Sequence, residues 1–196
     1  FYDNVPLWAA RHGLVGVNIT YRLAPQAPWP AGAEDVGLAL RWTIDNIARF
    51  GGDPKRIFLF AHSAGATHAG TYAAMPQFQG GRGLGIAGLI LTSGIYDLVD
   101  FPLTDNYRSY IGSDASLHAK RSPLPGLGKL AVPSLLVYAE LDPAPFIPQF
   151  EKLAAAMANA PGGKPRLLKL DRHSHLSLSF SIGTDDTALT GPILDF

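Results

Sequence analysis

The chain of 196 residues contains no cysteine, which excludes disulfides, thiolate nucleophiles and cysteine-ligated metal centres. It has no excess of either charge, because 16 basic residues balance 16 acidic ones. No basic run stands out either, so the charge pattern typical of nucleic-acid binding is missing. With 47% hydrophobic and 16% charged residues, the composition predicts a single globular domain over residues 1–196.

Long hydrophobic runs are also missing, and no stretch approaches the ~20 apolar residues needed to cross a bilayer. Nothing near the start resembles the charged and apolar regions of a signal peptide, so the sequence predicts a cytoplasmic location. The sequence begins with Phe1 rather than Met. We therefore expect its natural beginning to lie further upstream, which leaves a signal peptide there open.

Strand-like and helix-like patterns alternate along the chain. β-branched and apolar runs predict strands, and apolar residues at helical spacing predict the helices between them. This alternation is typical of an α/β fold with a mostly parallel sheet and helices on both faces. The run 56–60 is almost continuously apolar, which indicates a strand buried on both faces. Predicted strands cover 14–23, 56–60, 86–94, 133–140 and the shorter 165–170; predicted helices cover 5–12, 33–50, 64–74 and 148–160.

The stretch RIFLFAHSAGATHAG places Ser63 between a predicted strand and a predicted helix. Its neighbours are small, as a sharp reversal of the backbone requires, because a larger side chain would collide there. The pattern therefore predicts a nucleophile elbow with Ser63 as the nucleophile. A serine that merely caps the following helix is the alternative interpretation. The small neighbours are Ala61, which stands where glycine is usual, Ala64, Gly65 and Ala66.

A carboxylate is expected near the serine, because a serine hydroxyl needs a base to remove its proton and an acid to orient that base. In open α/β sheets such groups gather beyond the carboxyl ends of the strands. Asp142 follows the predicted strand 133–140, and a serine, acid, histidine order along the chain is typical of elbow enzymes. We therefore predict Asp142 as the acid, with Asp97 and the neighbouring Glu140 as alternatives.

Two histidines, His173 and His175, follow the last predicted strand. Only one of them can reach the serine, and the residues alone leave the choice open. In an extended segment both side chains share one face, so a metal site is a second interpretation, although no third ligand at suitable spacing supports it. His62 and His68 lie too close to Ser63 in sequence to be the expected base, and we predict structural roles for them.

Two further histidines and one glycine-rich string carry no function in our interpretation. His12 and His118 lie in no motif, so we expect surface or satisfied structural histidines. The string Gly83–Gly88 matches the G-x-G-x-x-G pattern of dinucleotide binding, but it precedes its predicted strand. The true fingerprint follows a strand and opens a helix. We therefore predict neither a nucleotide cofactor nor a metal.

The chain contains the stretches YRLAPQAPWPAGAEDV, GGDPKRIFLFAHSAGA, YAELDP and HSHLS. Together they resemble the α/β-hydrolase fold and, within it, the hormone-sensitive-lipase-like and arylformamidase-like esterases, over nearly the whole chain. The resemblance implies Ser63 as nucleophile and Asp142 as acid. It implies His175 as base, because the family's histidine is typically followed by a small or apolar residue, here Leu176. It also implies that the amide of Ala64 contributes to the oxyanion hole.

One feature of the family is missing. The His-Gly-Gly-Gly stretch, which gives these relatives further oxyanion-hole amides, is absent, and losing one such donor costs about 10²–10³ in turnover. The family's third strand, which the resemblance places between 14–23 and 56–60 in the sheet, is absent too. Its loss would leave two unpaired strand edges. We therefore expect the chain to be the carboxyl-terminal part of a longer product.

The sequence thus predicts a cofactor-free serine hydrolase that acts on a small carboxylic ester, with amide-like formyl substrates left open. Leu98 and Phe146 follow predicted strand ends and are our predicted substrate contacts; ordinary packing under the loops is the alternative. The rival functions are a non-catalytic α/β-hydrolase-like binding module and an inactive fragment of an enzyme. The set of Ser63, Asp142 and His175 argues against the binding module, because binding needs no such set.

Overall fold

The computed structural model describes residues 2–196. Within them, the strands form a four-stranded sheet whose neighbours follow one another in chain order, and every pair is parallel. Parallel neighbours need a crossover, and at least one helix lies between each pair of strands. The predicted α/β architecture with a parallel sheet is therefore confirmed. The strands are β1 (Phe58–His62), β2 (Gly88–Thr92), β3 (Ser134–Leu141) and β4 (Arg166–Ser174).

Each of the four predicted helices has a counterpart among the described residues. The predicted helix 64–74 has the bounds that the pattern gave it, and the predicted 33–50 consists of a helix followed by a short 3₁₀ turn, Ile47–Phe50. None of the helices found in residues 2–196 is long and apolar enough to cross a membrane. The helices are α1 (Asn4–Arg11), α2 (Ala31–Asn46), α3 (Ala64–Ala74), α4 (Asp105–Ile111), α5 (His118–Arg121), α6 (Leu124–Leu127), α7 (Phe146–Ala156), α8 (Ser177–Phe180) and α9 (Thr190–Leu194).

Both faces of the sheet are covered, because successive strand residues point to opposite sides. Leu89 and Leu91 of β2 join one apolar cluster with residues of α2, α3, α6 and α7. Ile90, which lies between them, joins a second cluster with residues of α1, α8 and α9. Right-handed crossovers that always step to the next strand in the same direction put their helices on one face. The other face is therefore covered by α1 and the helices that follow β4.

The predicted strand 14–23 is wrong. The structure has no strand there, and the apolar side chains of the segment are exposed, Val15 by 42% and Val17 by 43%. A β-branched run becomes a strand only where a neighbouring strand completes its hydrogen bonds. In the part of the chain that the structure describes, β1 pairs with β2 alone.

The prediction that β1 is buried on both faces also fails at its beginning. Phe58 is 46% exposed, whereas Ala61 and His62 at the other end of the strand are buried. Within the described residues β1 is an edge strand paired with β2 alone, so part of it stays exposed. The end of β1 that is well packed is the end that leads into Ser63.

Candidate active site

Each of the four strands is followed directly by a residue of the candidate site. Ser63 follows β1, Ser93 follows β2, Asp142 follows β3 and His175 follows β4. Parallel strands end at the same edge of their sheet, so these four side chains meet although they lie far apart in sequence. The carboxyl edge of the sheet is therefore where chemistry can be assembled.

Ser63 occupies a strained turn between β1 and α3. Its φ of 56° and ψ of −125° lie outside the regions that residues other than glycine usually adopt. Its amide donates to the Thr92 carbonyl, and its own carbonyl accepts from the amides of Ala66 and Thr67. The side chain makes no capping hydrogen bond to the helix, so the helix-cap interpretation does not hold. Its hydroxyl is free to face the other strand ends.

His175 links the serine to the carboxylate. Its Nε2 lies 2.7 Å from Ser63 Oγ, and its Nδ1 lies 2.7 Å from Asp142 Oδ1. A carboxylate accepts only, so Nδ1 carries the proton and Nε2 presents a lone pair to the serine hydroxyl. The imidazole is 17% exposed. This is the tautomer that a base acting on Ser63 requires.

Asp142 accepts hydrogen bonds from other groups besides His175. Its side chain is fully buried, and its second oxygen, Oδ2, accepts from the Ser93 hydroxyl at 2.6 Å and from the Ala139 amide at 2.8 Å. Burial by itself raises the pKa of the Asp142 carboxyl, but hydrogen bonds from His175, Ser93 and Ala139 hold it below its usual value. Asp142 is therefore a fixed negative charge beneath the imidazole.

Ser93 is a residue that the sequence analysis missed. It is buried, and its φ of 47° is again in the left-handed region. The predicted strand 86–94 includes Ser93, so its only signal in the sequence is that it lies near the carboxyl end of a predicted strand. A buried hydroxyl that donates to the Asp142 carboxylate orients that group and stabilises its ionised form.

The rival acids bond elsewhere. Asp97 forms an ion pair with Lys152 at 2.6 Å. Glu140 accepts from Lys169 at 3.0 Å and from the backbone amide of Arg172 at 2.7 Å. The structure thus brings neither of them to the histidine that faces Ser63.

The rival base also has other partners. His173 Nε2 lies 3.0 Å from Asp186 Oδ2, and its Nδ1 lies 3.3 Å from the Ser177 hydroxyl. A surface cavity of about 520 Å³ adjoins it. Because His173 and His175 bond to different carboxylates, they do not form a joint metal site. Among residues 2–196, no group of three potential metal ligands comes together.

Ala64 is the first residue of α3, and it is exposed. Within the described chain its amide has no hydrogen-bond acceptor, because the first amides of a helix have no partner inside it. The amino end of the eleven-residue helix also carries partial positive charge. The amide that the resemblance assigns to the oxyanion hole is therefore unpaired and lies next to Ser63.

The two predicted substrate contacts lie at different depths. The ring of Phe146 is half-buried, and its centroid lies 4.4 Å from that of His175. Leu98 is 2% exposed and packs into a small cluster with Ile95, Phe101 and Ile111, against which Phe146 also packs. The Phe146 ring therefore borders the His175 imidazole, whereas Leu98 is buried in the apolar cluster, as the packing alternative predicts.

The remaining histidines make structural contacts. His68 is buried between the rings of Tyr21 and Tyr110, at centroid distances of 4.5 and 4.8 Å. His118 is buried and donates from Nε2 to the Gly112 carbonyl. His12 bonds to the Trp8 carbonyl at 2.9 Å.

The remaining glycine-rich string does not have the surroundings of a nucleotide site. Gly83–Gly88 forms the loop that enters β2, so it precedes a strand and opens no helix. The predicted position of this string before a strand is confirmed.

Comparison with known proteins assigns this chain to a protein family. A family model described as alpha/beta hydrolase fold matches residues 4–175. Esterase LipQ from Mycobacterium tuberculosis is 30% identical over 165 residues, which cover 76% of this chain and 39% of that protein. Carboxylesterase NlhH from the same organism is 45% identical over 65 residues, which cover 33% of this chain and 20% of that protein. The chain thus spans well under half the length of these two relatives.

Solved structures of esterases share the fold of this chain. A Pyrobaculum calidifontis esterase superimposes with a TM-score of 0.74 and 25% identity, covering 96% of this chain and 66% of that one. Carboxyl esterase 2 from Tuber melanosporum superimposes with a TM-score of 0.77 at 19% identity, covering 98% of this chain and 69% of that one. The second likeness concerns the fold alone.

Proposed function

Since this chain belongs to the α/β-hydrolase fold family, we propose that it is a serine hydrolase that cleaves a small carboxylic ester through an acyl-enzyme on Ser63. The observation that carries the proposal is the unbroken line of hydrogen bonds from Ser63 through His175 to Asp142. The family resemblance to esterases supports an ester as the substrate class.

Acylation begins when Ser63 Oγ attacks the ester carbonyl. His175 Nε2 takes the hydroxyl proton as the bond between Ser63 Oγ and the carbonyl carbon forms. It then donates that proton to the oxygen of the leaving alcohol. Asp142 holds the imidazole in the required tautomer and stabilises the positive charge that it acquires. The buried carboxylate does this at every pH at which it stays ionised, and its lowered pKa extends that range downward.

The negative charge that develops on the carbonyl oxygen needs hydrogen-bond donors. The free amide of Ala64 lies next to the nucleophile at the amino end of α3, and it supplies one donor. Water then attacks the acyl-enzyme with His175 as base, which releases the acid and restores Ser63. The steps as drawn require neither a metal nor a nucleotide.

The geometry favours this function over a non-catalytic binding module. A module of that kind has no use for a strained serine, an imidazole in the basic tautomer and a carboxylate buried beneath it. Burying a charge costs free energy, and strain at Ser63 costs about 1–3 kcal/mol more. Proteins keep such features mainly at functional sites.

The first experiment measures the intact mass of the protein after treatment with a fluorophosphonate probe. We expect one adduct, and we expect it to vanish in the Ser63→Ala variant, because phosphonylation requires an activated serine. Ser134→Ala is the matched control, since it removes a buried serine hydroxyl at the far end of β3 and should still be labelled. A folded protein that takes up no probe would exclude the serine-hydrolase proposal for this chain.

Hydrolysis assays then define the substrate class. Short-chain aryl esters and formanilides should be compared with the same substituents on the aryl ring, with Ser63→Ala as the blank. We expect the esters to be cleaved faster. Faster cleavage of the formanilides would instead support the arylformamidase-type alternative on the same residues.

A further inference from the structure

Two rings contact His175 in addition to its hydrogen-bond partners. The centroid of the His62 ring lies 4.6 Å from that of His175, with 42° between the planes. The Phe146 ring lies at 4.4 Å with 34° between the planes. The hydrogen bonds at Nδ1 and Nε2 act in the plane of the imidazole, whereas these rings restrict its tilt out of that plane. The ring contacts therefore restrict the out-of-plane tilt of the imidazole, which the two hydrogen bonds do not restrict.

His62 is itself held firmly. It is the last residue of β1, it pairs in register with Thr92, and it is 7% exposed. Its Nδ1 lies 2.9 Å from the Tyr2 hydroxyl, and the Tyr2 ring lies 5.9 Å away. Its Nε2 is buried. A ring in this position cannot follow His175 if His175 tilts.

We propose that His62 is a positioning residue: its neutral ring holds the His175 imidazole in the plane that keeps Nε2 directed at Ser63. This role rests on the proposed function, since it matters only if His175 is the base. Phe146 contributes a second ring contact, and Tyr2 anchors His62 through its Nδ1. The role differs from catalysis, because His62 has no contact with Ser63 Oγ among the described hydrogen bonds.

The charges around His62 agree with a neutral ring. The titratable groups that face it are His175, Asp142 and Tyr2. Burial, followed by repulsion from a charged His175, lowers the pKa of His62 to about 4, while the His175 backbone and Asp142 oppose the shift. His175 must become positive during acylation. A neighbour that stays uncharged at working pH does not oppose that step.

The test replaces His62 with Ala, which removes the ring, and with Phe, which keeps a ring but cannot be charged. In His62→Ala we expect kcat and the rate of fluorophosphonate labelling to fall about tenfold, with KM within about twofold, because small misplacements of reacting groups are costly. In His62→Phe we expect both rates to stay within about threefold of the wild-type values. Circular dichroism checks the fold of each variant, and His12→Ala is the control for loss of a histidine.

Three outcomes with these variants would overturn the proposal. If His62→Ala labels and turns over at the wild-type rate, the ring contact does not position His175. If His62→Phe is as slow as His62→Ala, a ring alone is insufficient and the imidazole itself acts. Should His62→Ala fail to fold, His62→Leu takes its place, and equal rates for the Leu and Phe variants contradict the need for a planar ring. If the wild-type protein itself takes up no fluorophosphonate, that result would instead contradict the proposed function.

The pH profile gives a second readout. Because His62 stays neutral well above its pKa of about 4, we expect the acid limb of kcat/KM to coincide in the wild type and His62→Phe between about pH 5 and pH 8. A displacement of the limb by more than about half a unit would show that His62 carries a proton during turnover. That result would replace the positioning role with an acid–base role.

Discussion

Strand β2 and residues 14–23 have similar side chains and opposite surroundings. Leu89 and Ile90 of β2 are 0% and 2% exposed between two parallel neighbours. Val15 and Val17 are 42% and 43% exposed in a segment that forms no strand. The difference shows that β-propensity expresses the fit of a side chain to a pleated and covered surface rather than a preference of the backbone alone.

The contrast extends to function. The carboxyl edge of β2 supplies Ser93, which bonds to Asp142 in the candidate site. Residues 14–23 contact the helices through Tyr21, whose ring contacts the buried His68 of α3, and through Arg22, which bonds to Glu34 and Asp35 of α2. Substitutions at the carboxyl edge should therefore change activity, and substitutions in 14–23 should change little.

Asp142→Asn should have the largest effect. The amide keeps the shape of the carboxylate but favours the wrong tautomer of His175, so we expect kcat on a reactive ester to fall about 10⁴-fold. Asp97→Asn, which alters the rival acid paired with Lys152, is the matched control and should keep kcat within about threefold. Comparable losses in the two variants would contradict the assignment of Asp142.

His68 should control stability in mild acid. Burial lowers the pKa of His68 to about 4, below its ordinary 6.5, so the unfolded chain binds a proton that the folded chain refuses. The free energy of unfolding must therefore decrease as the pH falls from about 6.5 towards 4. We expect His68→Phe to remove about 2–3 kcal/mol of the loss between pH 7 and pH 4.5, measured by urea unfolding.

The His68→Phe variant keeps part of the pH dependence of stability, because burial lowers the pKa of His62 in the same way. The difference between the wild type and His68→Phe is therefore the informative quantity. Equal pH dependence in the two proteins would show that His68 is not buried as a neutral ring, and that the contact between Tyr21 and α3 is weaker than the structure has it.

Ser93→Ala should have an intermediate effect. Loss of its hydroxyl removes one donor from the buried Asp142 carboxylate, so we expect a fall of about tenfold in kcat and of about 1–2 kcal/mol in stability. The control is Ser134→Ala, which removes a buried serine hydroxyl at the other end of β3. It should leave kcat unchanged. A kcat that is equally insensitive to Ser93→Ala would mean that the other bonds suffice to hold Asp142.

Val17→Ser should have the smallest effect. The side chain is exposed, so we expect the free energy of unfolding to change by at most about 0.5 kcal/mol. Leu89→Ala, in the covered strand, should cost about 2–5 kcal/mol in the same urea measurement. Similar losses at the two positions would show that residues 14–23 are packed in solution, and the contrast between the two segments would disappear.

Local patterns predicted the elements that pack against neighbours close in the chain. The bounds of α3 and the turn at Ser63 followed from small residues after an apolar run, because steric crowding at a sharp turn is a short-range effect. The strand 14–23 was predicted from the same kind of evidence and is wrong. Strand formation depends on a partner that the segment itself does not specify.

The approach of His175 to Ser63 could not be derived from the spacing of the residues. His173 lies two positions away on the same segment, but it bonds to Asp186, whereas His175 bonds to Asp142. Arg172 has a φ of 64°, and the pairing of β3 with β4 shifts register between Ala139 and Leu141. Such irregularities redirect side chains in a way that a regular alternation does not predict.

The sequence by itself determined the α/β alternation, the elbow at Ser63 and the placement of polar residues after strands, because each depends on the order of neighbouring side chains. Only the tertiary structure decided that Ser93 supports Asp142, that His62 and Phe146 contact His175, and that residues 14–23 lie exposed. These contacts join residues far apart in the chain, Ser63 and His175 being separated by 112 positions. Their geometry is set by how the four strands end together at one edge of the sheet.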